Sequence, residues 1–177
     1  FTAKVIDCRK NENGFEVILD KTAFFPEGGG QYADTGKIGE AYINDVQIIN
    51  GEIVHYADRA LNIGEELCCE INWEQRFRRM QNHSGEHIVS GIVHKLYGYE
   101  NVGFHLGDDV TIDFDGELTR EQLIDVEKRA NEAIYKNAKF TCEYPDEETL
   151  KNLSYRSKLE LTENVRIVTV ERYDVCA

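Results

Sequence analysis

His83 and His87 stand four residues apart in Met80-Gln81-Asn82-His83-Ser84-Gly85-Glu86-His87, within a proline-free stretch that runs from Arg76 to His94. Read as a helix, this spacing puts both imidazoles on one face. One helix offers two nitrogen ligands to a single zinc ion in this way. Ile88, Ile92 and Leu96, with Val89 and Val93, form an apolar stripe beside the pair, so one side of the helix is expected to be buried. A tetrahedral zinc needs more than two protein ligands, so another segment has to supply the rest. His94 lies two turns beyond His87 and is read as a packing residue rather than a third ligand. His105, in Gly103-Phe104-His105-Leu106-Gly107, is placed in a loop from which it reaches a pocket beside the helix, and His55 is given no role.

A second chemical candidate is Phe24-Phe25-Pro26-Glu27-Gly28-Gly29-Gly30-Gln31-Tyr32-Ala33-Asp34-Thr35-Gly36. Gly28, Gly29 and Gly30 let backbone N–H groups approach a ligand closely or take positive φ, with Gln31 and Asp34 able to hydrogen-bond beside them. A barrel corner or bulge accounts for the same composition, and no helix pattern comes after it to make it a dinucleotide site. Arg76, Arg78 and Arg79 sit next to the histidine pair and are candidate phosphate contacts; a solvated helix start is the plainer reading. Glu86 completes His-x-x-Glu-His, the order of inverted zinc peptidases. Those enzymes draw their third ligand from a distant acidic helix that has no counterpart here. Gly29-Gly30-Gln31 also matches the tripeptide with which release factors hydrolyse peptidyl-tRNA, but its aromatic flanks differ from a disordered loop tip.

The elements that must position these residues emerge from periodicity. From Thr2 to about Asn72 the pattern is β throughout. Asn11-Glu12-Asn13-Gly14 joins two strands as a hairpin. Later runs at Ala41–Ile43, Val46–Ile49, Ile53–Tyr56 and Glu66–Ile71 are separated by Asn44-Asp45, Asn50-Gly51 and Asn62-Ile63-Gly64. Short, regularly spaced strands of this kind indicate a small β-barrel. The second half reads α+β: a helix from Trp73 to Tyr97 stopped by Gly98, a strand at Val110–Phe114, and a helix opened by the capping box Thr119-Arg120-Glu121-Gln122. That helix turns Leu123, Val126, Ala130, Ala133 and Ile134 inward. A strand at Phe140–Tyr144, a short acidic helix capped by Asp146 and a strand at Val165–Val170 complete it. The period changes from two to 3.6 near Asn72, giving a barrel domain over residues 1–72 and a second domain over 73–177.

Bulk properties narrow the class. The chain carries a net charge of −13, which opposes broad nucleic-acid binding and confines it to a local basic patch. No apolar run approaches the ~18–20 residues that span a bilayer, and no leader pattern opens the chain. Cys8, Cys68, Cys69, Cys142 and Cys176 are odd in number and widely spread, which suits a reducing cytoplasm. Phe1 in place of Met, and Cys176-Ala177 closing a strand pattern, lead us to expect a longer protein.

Taken together, the glycine-rich segment, Met80–His87, Gly103–Gly107 and Tyr173-Asp174-Val175-Cys176 resemble, in this order, the editing domain of alanyl-tRNA synthetase and its free-standing AlaX relatives. The resemblance covers nearly the whole chain. It implies a β-barrel followed by an α+β editing domain in which an antiparallel sheet packs with helices. It implies hydrolysis of tRNA(Ala) mischarged with serine or glycine, zinc as cofactor, and tRNA(Ala) as partner. It implies His83 and His87 as zinc ligands, completed by a Cys-x-x-x-His element late in the chain. No histidine comes after Cys176, so Cys176 is read as a neighbour of that element, with the remaining ligands expected beyond residue 177. A dimer through a further C-terminal domain is also expected.

On this reading Gln31 and His105 are the candidate catalytic residues, with His105 the first candidate to bond the serine hydroxyl. Gly28, Gly29, Gly30, Asp34, Arg76, Arg78 and Arg79 are the candidate substrate contacts. A non-catalytic tRNA-binding module of the same fold and an unrelated metallopeptidase are the alternatives.

Overall fold

In the computed structural model the described residues, 1–106, 109–157 and 165–177, form eleven strands and three helices. They divide into two units: Phe1–Gln81 with His105–Asp109, and Asn82–Phe104 with Val110–Ala177.

The first unit contains a closed antiparallel barrel in the order β1-β2-β5-β4-β3-β6. Its strands are β1 (Thr2–Lys10), β2 (Phe15–Leu19), β3 (Gly36–Ile38), β4 (Ala41–Ile49), β5 (Glu52–Ala57) and β6 (Glu66–Ile71). Closure removes the exposed edges an open sheet would leave. Alternation sends Ala3, Val5, Val17, Ile38, Ala41, Ile43, Val46 and Cys69 into one core. One sequence expectation is corrected here. Asn44-Asp45 does not separate two strands: β4 is continuous, and its register shifts between Ile43 and Asp45. A turn-forming Asn-Asp pair serves equally well as a bulge, which bends a strand where a barrel must curve. The three-residue strand β3 also escaped the pattern, being too short to show alternation.

Helix α1 spans Trp73–Tyr97, with positive-φ Gly98 just past its end. In the second unit Ile88, Ile92 and Val93 of α1 pack with Val126 and Ala133 of α2 (Arg120–Tyr135) and with Val170. Strands β7 (Asn101–Leu106) and β8 (Val110–Phe114) pair with each other. A three-stranded antiparallel sheet runs in the order β11-β10-β9, comprising Asp174–Cys176, Ile167–Val170 and Phe140–Glu143. Thr119 forms the expected capping box with Gln122, and Asp146 caps the short helix α3 (Glu147–Asn152).

The apolar stripes are narrower than the sequence suggested. Leu96 is 39% exposed on α1, and Leu123 and Ile134 are 53% and 59% exposed on α2. Only the Val126 and Ala133 side of α2 faces the core, because one sheet and one helix offer a narrow contact. Among the described residues no helix is long and apolar enough to cross a membrane, and all five cysteines are free.

Candidate functional site

In the second unit the i, i+4 spacing on α1 brings His83 and His87 into a stacked pair, ring centroids 4.9 Å apart and 9° from parallel. Burial, together with the neighbouring His87, holds the His83 imidazole below its ordinary value and so in the neutral form that ligates metals. Cys176 Sγ on β11 lies 3.2 Å from His87 Nδ1, and the Asp174 carboxylate lies 3.6 Å from the same nitrogen. Two groups with ligand atoms within 4.8 Å of one another result, His83 with Glu86 and His87, and His87 with Asp174 and Cys176, sharing His87.

Gly91 makes this meeting of helix and strand possible. A Cβ there would stand 2.4 Å from the Tyr173 carbonyl oxygen and 2.6 Å from Asp174 Cβ. The bare helix face admits the backbone that leads into β11, and Cys176 comes two residues after Asp174.

Two buried polar systems hold the site. Arg156 grips Asp174 with Nε on Oδ1 at 2.8 Å and Nη2 on Oδ2 at 2.7 Å, a fork-on-carboxylate pair. Burial alone would raise the Asp174 carboxyl, but the hydrogen bonds from His87 and Arg156 and the Arg156 charge outweigh it and bring it to about 2. On the other side of His87, Glu86 Oε1 accepts from Ser90 Oγ at 2.6 Å and from Asn101 Nδ2 at 2.5 Å. Its Oε2 lies 3.9 Å from His87 Nδ1. Burial, reinforced by the negative Asp174, pushes the Cys176 thiol up to about 12. Each of the two groups that share His87 offers imidazole nitrogen and carboxylate oxygen, and the second adds a thiol, donor types that can hold a metal ion.

The first unit builds the glycine-rich segment into a tight turn. Gly28 and Gln31 exchange backbone hydrogen bonds at 3.0 Å in both directions, across Gly29 and Gly30 at φ +58° and +76°. Consecutive positive φ values define a two-residue primed turn, which glycines enter without strain. Residues from Gln31 to Thr35, just past the turn, are bound to the start of α1. Arg76 Nε donates to Asp34 Oδ1 at 2.6 Å and Arg76 Nη1 to Gln31 Oε1 at 3.2 Å, with the guanidinium 4.5 Å over the Phe25 ring. Arg79 Nη1 donates to the carbonyls of Ala33 and Tyr32, and Thr35 Oγ1 donates to Gln75 Oε1 at 2.9 Å. Arg78 is exposed.

Set against the sequence reading, Gly28, Gly29, Gly30, Gln31, Asp34, Arg76 and Arg79 come together, but Asp34 and Arg76 are bonded to each other and are 1% and 7% exposed. Arg79 likewise donates to backbone carbonyls. His105 is not in a loop: it is an exposed residue of β7, in the first unit, because Asn101–Leu106 pairs as a strand. Gly107 lies outside the described residues. His94 pairs with Glu100 at 2.9 Å. His55, given no role, is fully buried and bridges Thr22 Oγ1 at 2.8 Å and the Val17 carbonyl at 3.0 Å. Asp174, Arg156, Ser90, Asn101 and Gly91 were not singled out. Only Asp174 carried a signal, as part of the Tyr173–Cys176 run.

Residues 2–75 match the family described as class II tRNA synthetases (A). The chain is 35% identical to the alanyl-tRNA editing protein AlaX-L of Pyrococcus horikoshii, over 98% of this chain and 45% of that protein. It is 36% identical to the alanine–tRNA ligase of Ignicoccus hospitalis, over 99% of this chain and 20% of that enzyme. To the alanyl-tRNA editing protein Aarsd1-A of Xenopus laevis it is 41% identical, over 69% of this chain and 30% of the relative. The chain thus spans less than half the length of these relatives. Nearly the full length of the chain is thus similar to an alanyl-tRNA editing protein and to one part of an alanine–tRNA ligase, and its first 75 residues carry the match to class II tRNA synthetases (A).

Proposed function

We propose that this chain is the hydrolytic part of an editing protein that deacylates tRNA(Ala) mischarged with serine or glycine. The observation that carries the reading is the meeting of His83 and His87 on one helix with Cys176 on a neighbouring strand, in a relative of alanyl-tRNA editing proteins. His83 and His87 would hold zinc, joined by Cys176, which the sequence reading takes for a neighbour of a ligand expected beyond residue 177 and which lies 3.2 Å from His87, with Asp174 and Glu86 setting the charge around His87. When bound, zinc supplies Lewis-acid polarisation of a carbonyl or lowers the pKa of a water.

The chain's own residues do the rest. An aminoacyl ester is already activated, so hydrolysis requires only a positioned water and donors for the developing oxyanion. The Ser90–Glu86–Asn101 network holds Glu86 so that its other carboxylate oxygen stands 3.9 Å from His87 Nδ1. Burial lowers the pKa of His83, which favours the neutral imidazole a metal needs. Gln31 and His105 are assigned to hydrogen-bond the aminoacyl group, and exposed Arg78 to a backbone phosphate. A pocket whose polar groups require the serine hydroxyl rejects the analogue lacking it, on the order of 10⁴-fold in rate.

The test is deacylation of Ser-tRNA(Ala) and Ala-tRNA(Ala) by the full-length protein. Selective loss of the seryl ester is expected. Equal loss of both would refute editing, and no turnover would make the chain a non-catalytic tRNA-binding module.

A further inference from the structure

A helix at a protein surface buries its apolar positions and leaves its charges in water. The first two turns of α1, Trp73 to Met80, do the reverse. Arg76 is 7% exposed, lies over the Phe25 ring and is bound to Asp34, and Arg79 donates to the carbonyls of Tyr32 and Ala33. With these two arginines turned toward the glycine-rich segment, the large apolar residues face outward. Trp73 is 61% exposed, Phe77 47% and Met80 45%. At i, i+4 and i+7 they share one face of the helix. The Trp73 and Phe77 rings are stacked, centroids 5.8 Å apart and 26° from parallel, so two of the three already form one continuous aromatic surface. Tyr32, 50% exposed, has the Arg79 guanidinium 5.6 Å over its ring. All of these residues belong to the first unit.

Neighbouring large apolar side chains left in water mark an interaction surface. Charge selects the partner. Residues 73–80 hold three arginines and one glutamate, a net charge of +2 in a chain of −13, and Arg78 is exposed. Aromatic rings beside guanidinium groups suit a single-stranded nucleic acid, whose bases stack on the rings while its phosphates meet the cations.

We propose that the Trp73–Phe77 face of α1 is a stacking platform for an unpaired base of RNA, with Arg78 meeting a neighbouring phosphate. The inference rests on the editing reading above, which supplies RNA as the partner, and adds to it a place where the first unit holds that RNA. Stacking also suits an acidic chain. It draws affinity from ring contact rather than from neutralising many phosphates, which a net charge of −13 opposes.

Binding of fluorescein-labelled, uncharged tRNA(Ala) to the full-length protein, followed by anisotropy, tests this without any turnover. Trp73→Ala and Phe77→Ala are each expected to weaken binding about tenfold or more, as loss of one stacked base does. Their urea midpoints should stay at the wild-type value, because both side chains are exposed. Trp73→Phe keeps a ring and is expected to bind within about threefold of wild type. Saturating tRNA should quench tryptophan emission in wild type, and the quench should shrink in Trp73→Phe. Arg78→Ala should weaken binding and lower the slope of log Kd against log salt by about 1, whereas Trp73→Ala should leave that slope unchanged. Wild-type affinity in both Trp73→Ala and Phe77→Ala, or a Trp73→Phe variant as weak as Trp73→Ala, would overturn the proposal. So would conversion of a dimer to a monomer by Trp73→Ala in sedimentation with tRNA affinity intact, which would assign the face to a second copy of the chain. A wild type that binds tRNA with this pattern but deacylates nothing would instead refute the editing reading alone.

Discussion

Replacing Gly91 by alanine tests how the helix and the last strand are fitted together. Inside an ordinary exposed helix this change stabilises, by about 1 kcal/mol, because glycine loses the more backbone entropy on folding. At position 91 the added methyl would sit 2.4 Å from the Tyr173 carbonyl oxygen, 2.6 Å from Asp174 Cβ and 3.0 Å from the Tyr173 carbonyl carbon. These are backbone atoms and the root of a side chain, which cannot swing aside. Overpacking of this kind costs about 1–3 kcal/mol. Contacts this short against backbone belong at the upper end of that range, about 2–3 kcal/mol, so Gly91→Ala is expected to lose about 1–2 kcal/mol net of the helix gain. With a urea m-value of about 2 kcal/mol/M, that is a midpoint lowered by roughly 0.5–1 M. The displaced residues lead directly into Cys176, so zinc affinity measured by competition with a chromogenic chelator should weaken at least tenfold. A higher midpoint together with unchanged zinc affinity would refute the reasoning.

Other perturbations reach different parts of the molecule. Burial holds the His55 imidazole below its ordinary value, the Val17 carbonyl opposing this more weakly. Its folded pKa is thus below the unfolded one, so the unfolded chain takes up the proton first as pH falls. Stability is complete above pH ~6.5 and declines below it, with His83 adding the same sign. Urea midpoints measured from pH 7.5 down to 5 should fall, and a flat profile would contradict it. Thr119→Ala removes the side chain that accepts from the Gln122 N–H and is expected to cost about 1 kcal/mol in chemical denaturation. An unchanged midpoint would show that the cap contributes nothing to α2.

Much of the architecture was legible because local rules and global fold agree. The histidine helix ends where Gly98 predicts, Thr119 and Asp146 cap where their types predict, and the short β runs close into a barrel. The misreadings share one physical source: a residue type states what it tolerates and not which neighbour it will meet. Asn44-Asp45 suits a turn and a bulge alike. Leu123 and Ile134 have the spacing of a buried face but lie past the edge of the contact. His105 sits among glycines that suggest a loop, though the segment pairs as a strand.

The arginines are the most instructive case. Their clustering beside the histidines suggests phosphate binding, and nothing local reveals that Asp34, 42 residues away, already holds Arg76. Conversely, Asn101 and Arg156 became visible only when the fold brought them to Glu86 and Asp174. A partner distant in sequence carries no periodic signal.

The central claim is that one helix and one strand of this chain assemble a metal site. Cobalt(II) substitution of the chain, followed by near-ultraviolet and visible absorption, tests it most directly. The account predicts one tightly bound cobalt per chain, with a thiolate-to-metal charge-transfer band that disappears in Cys176→Ala, and loss of binding in His83→Ala and His87→Ala. A bound cobalt with no thiolate band, or one whose spectrum is untouched by the Cys176 substitution, would contradict it.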